Sequence, residues 1–199
     1  MKRTSFLICP VIAIFTIIAC NQENTPSEKA ATETTTFSHD SLVKRGEYIV
    51  LTSGCNDCHT PKKMGPHGPE LDETLLFSGH PAQMPVPKVD PAALKDWVLF
   101  NQNLTAFVGP WGVSFAANIS SDATGIGNWT EEQFFRALRE GKSKGLEGGR
   151  PLMPPMPWES FGKKSDLDLR AIFAYLKSTK PVKNLVPAYV PPAQPLASK

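Results

Sequence analysis

At 199 residues, 41% of them hydrophobic, the chain has the length and the apolar content for one domain with its own core. Its formal charge of +2 is not the clustered basic excess that nucleic-acid binding calls for. Of four cysteines only Cys55 and Cys58 stand close together, which excludes a disulfide scaffold.

The N-terminus reads as an export signal. Lys2 and Arg3 precede an apolar run over residues 6–19, broken only by Pro10 and Thr16. Such a run suits a signal peptide over residues 1–19 and falls short of the ~20 apolar residues that a spanning helix needs. It ends in Ile17-Ile18-Ala19-Cys20, which resembles the lipobox of bacterial lipoproteins, cut before the cysteine that then receives lipid. Cys20 is thus the expected lipidation site and first mature residue, fixing the protein to a membrane without spanning it. An uncleaved anchor helix and an ordinary signal with a bystander cysteine are the alternatives, and the length of the run disfavours the first. Loss of Lys2 and Arg3 leaves the mature chain formally neutral. Residues 20–40, rich in Thr, Glu, Ser and Asn, cannot bury enough apolar surface to offset ordering and read as a flexible tether. The expected location is exported, lipid-anchored to the cell membrane or outer membrane, with the remaining domain in the periplasm or at the cell surface.

Residues 41–180 form the expected domain, with four helical segments. Residues 41–53 place Leu42, Tyr48, Ile49 and Leu51 along a first helix. Asp90-Pro91, a capping residue before a proline, opens a second that runs to about Asn101. Thr130 and Gln133 have the spacing of a capping box for a third, with Phe134, Phe135 and Leu138 facing the core and Gly141 beyond its end. Ser165 caps the fourth over residues 166–178, where Leu169, Ile172 and Leu176 make an apolar stripe. The segments between are rich in Gly and Pro and read as loops, so the expected fold class is all-α. Residues 181–199 hold five prolines and read as an extended Pro-rich C-terminal arm, lying on the surface or frayed.

The chemistry concentrates at Cys55-Asn56-Asp57-Cys58-His59. C-x-x-C-H is the signature of c-type haem attachment. On a helical turn positions i, i+3 and i+4 share a face, so both thiols can add to the vinyl groups of one haem while His59 presents a ring nitrogen to iron. A redox dithiol, half a zinc site and two structural cysteines are the alternatives. The first wants a βαβ context and the second two more ligands at matching spacing, and neither is present in the sequence. One such motif implies one haem c.

With these residues in view the chain resembles the cytochrome c superfamily, and more closely the cytochrome c subunits of bacterial alcohol dehydrogenases. The resemblance spans about residues 43–187. It rests on Arg45-Gly46-Glu47-Tyr48 leading to Cys55 and His59-Thr60-Pro61, on Ala117-Asn118-Ile119 with Asp122 and Gly125-Ile126-Gly127, on Pro155-Met156-Pro157-Trp158, and on residues 166–181. It implies a class I cytochrome c fold with long Gly/Pro-rich loops, Met156 as second axial ligand, and a crossing of the first and last helices that packs Gly46 near Tyr175. Family subunits often carry several haem domains, whereas this sequence carries one.

The residues themselves support Met156 through its soft thioether and the stiff flanking prolines Pro154, Pro155 and Pro157. Core packing of that side chain, and ligation by Met153, are the alternatives. Met64, Met84, His67 and His80 are weaker candidates, the two histidines being expected exposed in loops. Lys62 and Lys63, with Lys142, Lys144, Arg150, Lys163 and Lys164, form either a basic rim that steers an acidic partner or an ordinary solvated face. The four tryptophans read as core or haem-wall residues. The expected function is electron transfer between a redox donor and acceptor, with no catalytic triad or acid pair that would mark an enzyme. The alternatives are a haem peroxidase or small-gas binder with an open sixth position, and a cytochrome subunit bound in a dehydrogenase complex. The sequence does not fix the oligomeric state.

Overall fold

The computed structural model describes residues 37–86 and 88–192. The leader, Cys20 and the tether as far as residue 36 lie outside the described residues, as do residues 193–199.

Three helices form where capping and apolar periodicity agree. Helix α1, His39–Thr52, starts at Ser38, whose hydroxyl accepts from the Ser41 amide. Helix α3, Glu131–Arg139, has the full capping box: the Gln133 amide donates to Thr130 Oγ1 (3.2 Å) and the Thr130 amide to Gln133 Oε1 (2.9 Å). Helix α5, Asp166–Ser178, is capped by Ser165, which accepts from the Asp168 amide at 3.1 Å. Among the described residues two short α-helices join them, α2 at Cys55–His59 and α4 at Trp158–Phe161.

The all-α expectation is overturned by two small antiparallel sheets. Strands β1 (Lys62–Gly65) and β2 (Gly68–Leu71) form one hairpin; β3 (Leu99–Phe100), β4 (Ala106–Gly109) and β5 (Gly112–Phe115) form a three-stranded sheet. Each tight hairpin closes on the same Gly-Pro-x-Gly pattern, Gly65-Pro66-His67-Gly68 and Gly109-Pro110-Trp111-Gly112, with the two glycines paired across the ladder. Proline presets the turn and glycine supplies the positive φ, 124° at Gly68 and 98° at Gly112. The second expected helix is likewise wrong. Only one 3₁₀ turn forms at Pro91–Leu94, after which Leu99 and Phe100 pair with Val108 and Phe107. An aromatic and β-branched run, Trp97-Val98-Leu99-Phe100, finds a strand partner that a local helix signal cannot anticipate.

Helices α1 and α5 cross at Gly46. A Cβ there would lie 1.9 Å from the Ala171 carbonyl oxygen and 2.7 Å from Tyr175 Cβ, so the approach of the two backbones requires glycine. Arg45 Nε donates to Asp168 Oδ1 at 2.8 Å beside the crossing. Around it Val50, Phe77, Ile126, Phe134, Leu138, Leu169, Ile172 and Leu176 pack as one buried cluster. Among the described residues no helix is long and apolar enough to cross a membrane.

Candidate functional site: the Cys-His turn and its cradle

Helix α2 is one turn, entered through Gly54 in the left-handed region (φ 72°). Both thiols on it are free. Burial pushes Cys55 up to about 11 and raises Cys58 as well. Protonated thiols of that kind are poor nucleophiles, the opposite of a redox dithiol.

His59 Nδ1 lies 2.7 Å from the Ala117 carbonyl oxygen. A carbonyl only accepts, so Nδ1 carries the proton and Nε2 keeps a free lone pair. Burial also lowers the His59 pKa, which favours the neutral ring. Two thiols on one turn and an imidazole oriented with Nε2 bare are the donor set that covalent haem and its iron require, and the residues fit the group.

Two segments, residues 77–79 and 116–120, hold this turn. Thr60 and Asn56, both buried, are bonded to each other (Thr60 Oγ1 to Asn56 Oδ1, 2.7 Å), and the Phe77 amide donates to Thr60 Oγ1 at 2.9 Å. Phe77 sits at φ 61°, uncommon for an aromatic residue, and its carbonyl accepts from the Ile119 and Ser120 amides. The Gly79 amide donates to the His59 carbonyl at 2.8 Å. Gly79 has φ 73°, and a Cβ there would meet Ala116 O at 2.4 Å and Ala117 O at 2.6 Å, so glycine lets this loop lie against the segment that orients the imidazole.

Met156 is half-buried, and both it and Cys55 pack against the core cluster. Met153 is half-buried too, outside that set. The Met84 sulfur accepts from the Asn103 amide group at 3.1 Å, and Met64 is 78% exposed on β1. His67 is exposed in the first hairpin loop. His80, expected exposed, is fully buried, with Nδ1 2.9 Å from Thr105 Oγ1 and its ring tilted against Phe115 of β5; the Gly/Pro-rich loop around it is held inward by these contacts and by Asn184, which donates to the His80 carbonyl. The basic residues divide. Lys62 Nζ turns inward to the carbonyls of Asp57 and Thr60 (both 2.6 Å) and Asn56 (3.1 Å), capping α2. Arg150 lies over the Tyr189 ring. Trp97 is 69% exposed rather than core.

No family model matches the chain. Over 145 residues, 72% of its length, it is 30% identical to the cytochrome c subunit of the quinone alcohol dehydrogenase of Gluconobacter oxydans. The chain is related to dehydrogenase cytochrome c subunits. It is also 39% identical, over 71% of its length, to the corresponding subunit of Gluconacetobacter polyoxogenes. To the gluconate 2-dehydrogenase cytochrome c subunit of Pantoea cypripedii it is 30% identical over 69%. This cytochrome spans 23% of the length of each of these relatives. The relationship implies covalently bound haem c as its cofactor. Sequence reasoning missed the Ala117 carbonyl, the Asn56–Thr60 pair and the inward turn of Lys62, none of which has a local signature.

Proposed function

We propose that this protein transfers single electrons through one haem c, attached at Cys55 and Cys58 and ligated by His59 Nε2 and Met156 Sδ, in an exported protein held to a membrane by lipid at Cys20. The observation that carries the reading is the 2.7 Å contact of His59 Nδ1 with the Ala117 carbonyl, which leaves Nε2 as the free donor beside two free thiols. When bound, haem c supplies an iron that alternates between ferric and ferrous states. The chain's own part is to fix the imidazole, to offer a thioether, and to keep water from the apolar side. Cys55 and Met156 pack on one apolar cluster, and low polarity together with thioether ligation favours the ferrous state. Met84 is engaged by an asparagine amide and Met64 faces solvent, which supports Met156, with Met153 as the competing sulfur. The names of the relatives support a redox protein as partner, and a role in carrying electrons rather than in catalysis.

The test is the ferric spectrum of the haem-loaded protein. The wild type is expected six-coordinate and low-spin, with a sulfur-to-iron charge-transfer band that Met156→Ala abolishes and Met153→Leu preserves. The reverse pattern moves the ligand to Met153. A high-spin wild-type haem that binds carbon monoxide readily overturns the electron-transfer reading in favour of an open sixth position.

A further inference from the structure

The C-terminal segment after α5 does more than cover the surface. Asn184 is bonded on four sides. Its Nδ2 donates to the carbonyls of Ser78 (2.7 Å) and His80 (2.9 Å), and its Oδ1 accepts from the Ala82 amide (2.9 Å). Its backbone amide donates to Thr124 Oγ1 (2.9 Å), and its carbonyl accepts from Asn118 Nδ2 (3.2 Å). Asn118 Nδ2 also donates to the Val182 carbonyl at 2.8 Å. Farther along, Val190 and Val113 exchange both backbone bonds, at 2.8 and 3.0 Å, and the Tyr189 hydroxyl donates to the Trp111 carbonyl. Residues 182–190 are therefore a strap fastened at both ends.

What the strap fastens is the support of His59. The Ala117 carbonyl lies between Ala116, whose oxygen accepts from the His80 amide at 2.9 Å, and Asn118, which is bonded to the strap. The segment on its other side, Ser78 to His80, hangs from the Asn184 amide group and contains Gly79, in contact with Ala117. We infer that Asn184 is a positioning residue for His59: it fixes the Ala117 carbonyl from both sides, and so sets the strength of the Nδ1–H donation and, through it, the reduction potential of the haem. This inference rests on the proposed ligation by His59. A carbonyl held close to Nδ1–H makes the imidazole a more basic ligand, which stabilises ferric iron; a slack carbonyl favours ferrous iron.

The experiment uses the full-length, haem-loaded protein and reads two quantities, the reduction potential and the exchange rate of the His59 Nδ1 proton in the ferrous state. In Asn184→Ala the potential is expected to rise and the proton to exchange about tenfold faster, the loss of roughly one hydrogen bond's worth of protection. Leu185→Ala, at a side chain 72% exposed on the same strap, is expected to change neither. Asn184→Ser keeps one donor and should fall between wild type and alanine, which leaves the inference readable where the alanine variant does not fold. Haem attached and both readouts unmoved in Asn184→Ser, or in a folded Asn184→Ala, overturns the positioning role alone. Failure of the wild type to attach haem, seen as apoprotein mass, overturns the proposed function and the inference with it.

Discussion

Two side chains in this molecule take parts that their residue type does not announce. Lys62 stands three residues after His59, where a lysine ordinarily meets solvent, yet its ammonium caps three carbonyls at the end of α2. A cation at a helix C-terminus complements the dipole and satisfies the last carbonyls, so Lys62 serves to cap α2 rather than to form a docking rim. His80 is fully buried, with Nε2 3.3 Å from the Met84 carbonyl and Nδ1 on Thr105. Burial lowers its pKa, so the unfolded chain takes up a proton near the ordinary 6.5 while the folded protein does not. The stability this contributes is complete above that value and is lost as pH falls below it. Denaturant unfolding at about pH 7.5 and about pH 5.5 should show the wild type losing more stability on acidification than His80→Gln does. Equal losses would place the buried ring outside the acid response.

At the scale of elements, the helices were legible because cap and stripe fall on the same residues. Thr130 with Gln133, and Ser165 before Leu169, Ile172 and Leu176, mark their helices twice over. The α1–α5 crossing follows from Gly46 lying against Ala171 and Tyr175. Gly46→Ala should therefore destabilise by about 1–3 kcal/mol, the usual cost of overpacking a tight contact, read as a lower denaturation midpoint with an unchanged slope. A neutral result would mean that the two helices can separate without loss. The strands were less legible. Four-residue segments are too short to show alternation above chance, and the repeated Gly-Pro-x-Gly at residues 65–68 and 109–112 was the one local signal, easily taken for loop. Trp97 to Phe100 carried a helix start upstream and a strand composition of its own, and pairing with β4 decided between them.

For the whole molecule, the proposed anchor makes a separable claim. Cys20→Ala should release the haem protein into the soluble fraction or leave it unprocessed, because residues 21–36, rich in Thr and Glu, offer little apolar surface to hold a bilayer. A processed Cys20→Ala protein that still sediments with membranes would argue for attachment through another part of the chain. The sequence alone marked the turn proposed to hold the haem, since Cys55, Cys58 and His59 stand within five residues and need only one helical turn to share a face. It also determined three of the helices, whose signals are local. What only the tertiary structure decided is everything that depends on segments distant in the chain meeting. His59 finds its partner at Ala117, 58 residues away, and Asn184 meets Ser78, 106 residues away. Backbone carbonyls carry no residue identity, so no sequence pattern marks which of them will orient an imidazole; that choice is made by the packing of Gly79 and the strap against one loop.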